Sequence, residues 1–71
     1  MDRYENLVNA IILQAVKDYR RALKQLVRNR GNVQAIQTKN DVEWFFRSEL
    51  FSILTDINGE ELLTKLGTEV A

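Results

Sequence analysis

Cysteine, histidine and proline are all missing from this 71-residue chain, and it has only three glycines. Without cysteine no disulfide can form, and without cysteine or histidine no structural metal is expected. The same two absences remove the common general base and the thiol nucleophile. Neither an enzyme, nor a cofactor, nor a small-molecule substrate is therefore expected. The lack of proline leaves nothing to kink a helix. Neither sign of charge is in excess, since ten Lys+Arg stand against ten Asp+Glu. No long apolar run exists: the longest uninterrupted one is Ala10–Leu13, far short of the ~18 residues of a membrane span. The opening Met1-Asp2-Arg3-Tyr4-Glu5 is acidic and amphipathic and is not expected to act as a signal peptide. A cytoplasmic location is the default expectation.

What is there suits an ordinary globular chain, with 45% hydrophobic and 28% charged residues, too apolar for intrinsic disorder. The length allows one domain, 1–71. A chain this small buries only about 60% of its unfolded surface. The usual remedies are disulfides, a metal or a partner. With the first two set aside, close helix packing and self-association remain.

Hydrophobic periodicity predicts an all-α fold of three helices: long, medium and short. The first runs over 3–30. At ~100° per residue, Tyr4, Val8, Ile11, Ile12, Ala15, Tyr19, Ala22, Leu23 and Leu26 share one broad face. Val16 and Val27 widen it, and Leu7 and Leu13 flank it. Asp2 and Glu5 in the first turn and Arg28 and Arg30 in the last suit the helix dipole, and Gly31 offers a left-handed cap. Some 27 residues at ~1.5 Å each span ~40 Å, more than the roughly 30 Å diameter of a compact domain of this length. That excess predicts a second copy covering the ends, hence a homodimer.

Residues 31–40 read as a loop, with a single helical turn around Val33–Gln37. The second helix is predicted over 41–55, with Asn40 as N-cap and Glu43 completing a capping box. Val42, Phe46, Leu50, Ile53 and Leu54 form its apolar face. Trp44 and Phe51, seven residues apart, form a second strip roughly opposite, and Phe45 lies on a third side. A helix apolar on several sides is buried on several sides, a second argument for the dimer, with Tyr19, Trp44, Phe45 and Phe51 as candidates for the dimer interface or for a protein partner's. Phe45, Phe46, Leu50, Ile53 and Leu54 would be the core beneath it. The rings of Tyr4 and Tyr19 are expected to be buried with their hydroxyls at an edge. A turn at 56–58 leads to a short helix over 59–66, capped by Asn58 with Glu61. Gly67 ends it, and Thr68–Ala71 are expected to fray.

Charge is unevenly placed. Residues 1–40 hold eight basic and three acidic side chains, and residues 41–71 two basic and seven acidic. Lys17, Arg20, Arg21, Lys24 and Arg28 gather on the side of the first helix away from its apolar face. Such a stripe suits phosphates, or serves as a solvated face, or complements the acidic half within a dimer. A stripe open to solvent favours nucleic acid; one covered by Asp56, Glu60 or Glu61 favours a structural role.

Other motifs fail. A helix-turn-helix needs a recognition helix whose start tolerates phosphate, whereas Glu60 and Glu61 stand there. A calcium loop aligned on Gly59 has Leu54 where its first carboxylate belongs and Lys65 where its bidentate glutamate belongs. Ser48, Ser52 and Glu49 lack a base, and Glu43 with Arg47 reads as an i,i+4 ion pair.

The stretch Val42-Glu43-Trp44-Phe45-Phe46-Arg47-Ser48-Glu49 precedes Phe51-Ser52-Ile53-Leu54-Thr55-Asp56-Ile57-Asn58-Gly59-Glu60. With Ala15-Val16-Lys17-Asp18-Tyr19-Arg20-Arg21-Ala22-Leu23 upstream, the chain resembles a group of short uncharacterised bacterial proteins. These occur in prophages and integrated conjugative elements of Gram-positive bacteria. The resemblance carries no activity and no functional residue. It implies a mobile-element context, in which small helical proteins act as accessory or regulatory factors. The expectation is a small non-enzymatic helical protein that self-associates and binds a macromolecular partner. The alternative is a nucleic-acid-binding accessory protein using the basic face of the first helix.

Overall fold

The computed structural model of the chain describes residues 3–70 and folds them into four helices. These are α1 (Arg3–Arg28), α2 (Val33–Arg47), α3 (Glu49–Leu54) and α4 (Gly59–Val70). The all-α class is as expected, but the count of three is corrected to four. No helix among the described residues is long and apolar enough to cross a membrane.

α1 stops at Arg28, two residues before the expected end, and its cap is not a left-handed glycine. Among the described residues no glycine has a positive φ. Instead the Gly31 amide donates to Asn29 Oδ1 at 3.0 Å, and the Asn32 amide donates to the Asn29 carbonyl at 3.1 Å. Asn32 then caps α2, its side chain accepting from the Ala35 amide at 3.0 Å. The expected loop 31–40 is thus mostly the first two turns of α2, and Asn40 lies in mid-helix rather than at a cap. The physical reason is narrow contact. Ala35, Val42 and Phe46, at spacings of seven and four, form one thin buried stripe against α1. The other positions of that segment need not be apolar, so its helical period is faint.

The expected helix 41–55 is broken at Ser48. Its hydroxyl donates to the Phe45 carbonyl at 2.6 Å and accepts from the Phe51 amide at 3.3 Å. Ser48 therefore closes α2 and caps α3, in an extended backbone with φ −77° and ψ 158°. Leaving the helical path there rotates α3 relative to α2. Phe51 becomes core, at 1% exposure, while Leu50 and Ile53, expected inside, are 55% and 78% exposed.

The turn before α4 is built as predicted: Asn58 Oδ1 accepts from the Glu61 amide at 3.1 Å. α4 does not end at Gly67. It continues through Thr68 to Val70, so the expected fraying of 68–70 is not seen; Ala71 lies outside the described residues. A single glycine costs a helix only about 1 kcal/mol, and Thr64 and Thr68 hydroxyls bond back to the Glu60 and Thr64 carbonyls. Gly59, by contrast, is demanded by packing. A Cβ there would lie 1.9 Å from the Phe46 carbonyl oxygen, so only glycine lets α4 start against the end of α2.

α1 and α2 form an antiparallel hairpin, with residues near 11–15 facing 42–45 and residues near 22–25 facing 34–38. α4 lies along the other flank of α1. Ile12, Tyr19, Val42, Phe46, Phe51, Leu63 and Leu66 make the core, with Val8, Ala15, Val16, Leu23, Phe45 and Leu62 packed against it. Phe45, Phe46 and Phe51 form a ring cluster with centroids 5.0–5.7 Å apart. Ala22 and Ala35, both fully buried, let the hairpin close near its loop. The molecule measures 41 × 19 × 19 Å, so α1 is the axis of a rod rather than an overhang from a sphere. Tyr4, near one end of that axis, is exposed instead of burying its ring.

Candidate interaction surfaces

The basic stripe lies where the helical period put it. Lys17, Arg20, Arg21, Lys24 and Arg28 are all exposed, on the side of α1 opposite Ile12, Tyr19 and Ala22. Asp56, Glu60 and Glu61 do not cover it; Glu60 pairs with Arg47 instead. Arg20 is held by Glu69 of α4 through two bonds of 2.9 and 3.2 Å, and Arg21 approaches Asp18 at 3.4 Å. Both pairs are open to solvent, so each contributes at most about 1 kcal/mol. Among the described residues, no ion pair engages Lys17, Lys24 or Arg28. Leu13 and Val27, also exposed, interrupt the stripe on its edge.

Of the four aromatic interface candidates, Phe45 and Phe51 meet in ring contact, but the four do not form one surface. Tyr19 and Phe51 are 4% and 1% exposed and belong to the chain's own core. Phe45 is half-buried, with its ring edge-on to Phe51. Trp44 stands alone on the outer face of α2, 72% exposed. The expected Trp44–Phe51 strip assumed one straight helix, and the Ser48 break removes it. A readable signal was present: serine is a preferred N-cap, and Glu49 directly after it suits a first helical turn.

Around Tyr19 a polar network ties three helices together. The Tyr19 hydroxyl donates to Glu43 Oε2 at 2.7 Å, and Lys39 Nζ reaches the same oxygen at 2.9 Å. Arg47 Nη1 lies 3.8 Å from Glu43 Oε1 and also bonds Glu60 at the start of α4. Burial raises the Tyr19 pKa, and the bond to Glu43 and its charge add to that. For Glu43, burial pushes the carboxyl up. Bonds from Lys39 and Tyr19 and the charges of Lys39 and Arg47 outweigh it and hold the pKa below its ordinary value. These groups satisfy one another, which makes the network a clasp between helices.

The seam between α1 and α2 opens into a groove of about 370 Å³, lined by Ile11, Ala15, Val42 and Phe45 with Gln14, Asp18 and Asp41 at its rim. Leu7 lies one turn earlier on the stripe that carries Ile11, and is also exposed. Farther along the seam a polar furrow of about 280 Å³ follows, which Asp18 also lines, with Arg21, Ala22, Gln25, Gln34 and Thr38. The sequence reading assigned Ile11 to the buried face and missed this groove. Ile11, Gln14, Ala15 and Asp18, at spacings of three and four, form its α1 wall, but only the position of α2 turns that series into a groove.

Compared with models of known protein families, with curated proteins and with solved structures, the chain matches none.

Proposed function

We propose that this chain is a small non-enzymatic interaction protein of the cytoplasm that self-associates and binds a macromolecular partner, in the mobile-element setting its resemblance implies. The observation that carries this reading is the apolar α1–α2 groove. Ile11 and Phe45 line an apolar groove that the fold leaves open, and Leu7 is exposed one turn earlier on α1, so this side of α1 offers apolar surface for a partner to cover. Trp44 offers a second, separate anchor of the residue type enriched in binding hot spots. The test is light scattering on the parent and on Ile11→Glu over a range of concentrations. The parent should pass from monomer to dimer mass while Ile11→Glu, folded by circular dichroism, stays monomeric. A parent that is monomeric throughout refutes the self-association.

A second reading is favoured by a specific observation: Lys17, Lys24 and Arg28 face solvent on one side of α1, uncovered by any of the acidic residues named above. On this reading the stripe binds nucleic acid through phosphates, with an affinity that falls steeply with salt. Fluorescence anisotropy of labelled single- and double-stranded DNA at two salt concentrations tests it. Lys17→Glu with Lys24→Glu should abolish binding, and unchanged binding by that double variant removes the reading.

A further inference from the structure

The charge that balances to zero over the chain is separated along the rod. Residues 17–40, which form the hairpin-loop end, hold seven basic side chains and one acidic, a net of +6. Residues 41–61, which form the other end, hold one basic and six acidic, a net of −5. The apolar groove lies between these ends, with Ile11, Ala15 and Asp18 bracketing the middle of α1, and the polar furrow continues it into the basic end. The opposite flank of α1 is already occupied by α4, whose Glu69 holds Arg20.

We infer that the α1–α2 face is covered by a second copy of this chain whose long axis runs antiparallel to the first. The inference rests on the self-association proposed above and adds the face and the orientation. Two observations carry it, the place of the groove and the separation of charge. A two-fold axis through a central groove sets the same patch of both copies together, as an isologous interface requires, and lets two rods overlap along most of their length. Antiparallel pairing sets the +6 end of one copy beside the −5 end of the other, whereas parallel pairing stacks like charges within a Debye length of about 10 Å.

The absence of native cysteine makes the test direct. Asn29→Cys labels the hairpin loop and Asp56→Cys the turn at the other end, both at exposed positions. The two variants are treated with a short bis-maleimide cross-linker, separately and mixed, and their mass is checked by light scattering. The expected result is a dimer mass and a cross-linked product from the mixture that neither variant gives alone. Adding Ile11→Glu to both, or Gln14→Arg at the groove rim, should cost the mixed product while helicity is retained. A dimer in which Asn29→Cys alone cross-links to itself overturns the antiparallel orientation and leaves self-association standing. A mixed product that survives both groove variants overturns the choice of face. Monomer mass throughout overturns the inference together with the reading beneath it.

Discussion

Two glycines of α4 should respond to the same substitution with opposite signs. By helix propensity alone, alanine stabilises at either site by about 0.5–1 kcal/mol, because glycine loses more backbone freedom on folding. Around Gly67 a new Cβ meets nothing within 4 Å, so Gly67→Ala should gain that amount. At Gly59 the Cβ would sit 1.9 Å from the Phe46 carbonyl oxygen and 2.8 Å from its carbon. Both are backbone atoms that cannot swing aside. Restoring an ordinary contact of 3.4 Å needs a displacement of about 1.5 Å, which pulls the start of α4 from α2. Leu63 and the Arg47–Glu60 pair lie within that first stretch of α4. Overpacking of this kind costs about 1–3 kcal/mol, enough to exceed the propensity gain. For a domain of this size each kcal/mol moves Tm by about 4–8 °C. Far-UV circular dichroism melts should therefore show Gly59→Ala melting several degrees below the parent and Gly67→Ala slightly above it. All melts belong at one protomer concentration, since self-association makes Tm concentration-dependent. A Gly59→Ala protein as stable as the parent would refute the close approach of α4 to Phe46.

Phe51→Ala should cost about 3–5 kcal/mol, a large share of the total for a chain this short, whereas Trp44→Ala should stay within about 0.5 kcal/mol. Urea titration checks both, and equal costs would mean that α3 is not rotated at Ser48. Tyr19→Phe keeps the buried ring but removes the donor to Glu43, at about 1–3 kcal/mol by the same assay; no loss would show that Lys39 and Arg47 suffice to hold the carboxylate. The clasp also sets a pH window. Because the folded Glu43 pKa is depressed, its contribution is complete above the ordinary value of 4.5 and is lost as pH falls through the folded value. Because the folded Tyr19 pKa is raised, its contribution is complete below the ordinary 10.0 and fades as pH rises above it. Stability measured against pH should fall on both sides of that window, and Glu43→Gln should flatten the acid limb; an unchanged limb assigns the acid loss to other carboxylates.

The clasp and the groove divide the work of α1. Its flank toward α4 is closed by Arg20 and Glu69, and its buried face by Tyr19 and the aliphatic core. What remains open is the seam with α2 on one side and the basic stripe behind it. Both proposed modes of action therefore use the same helix, through surfaces roughly a quarter-turn apart. A dimer joined at the seam would leave the outer stripe of each copy available.

By itself the sequence determined the helical class, the span of α1 to within two residues, and the Asn58 cap. It also placed the five basic residues together on the face of α1 away from the core. Each follows from local rules: a period of 3.6, a side-chain oxygen that meets a free amide, and spacings fixed along one helix. Only tertiary structure decided the rest. Residues 33–40 are helical although only Ala35 in that stretch is buried, and one buried position in two turns leaves little periodic trace. Trp44 and Phe51 separate because Ser48 redirects the chain between them, and a register counted across that break has no meaning beyond it. Leu50 and Ile53 are left outside for the same reason. The groove is the clearest case: Ile11 and Phe45 lie thirty-four residues apart in the chain. No local pattern relates them until α2 folds back along α1 and makes them its two walls.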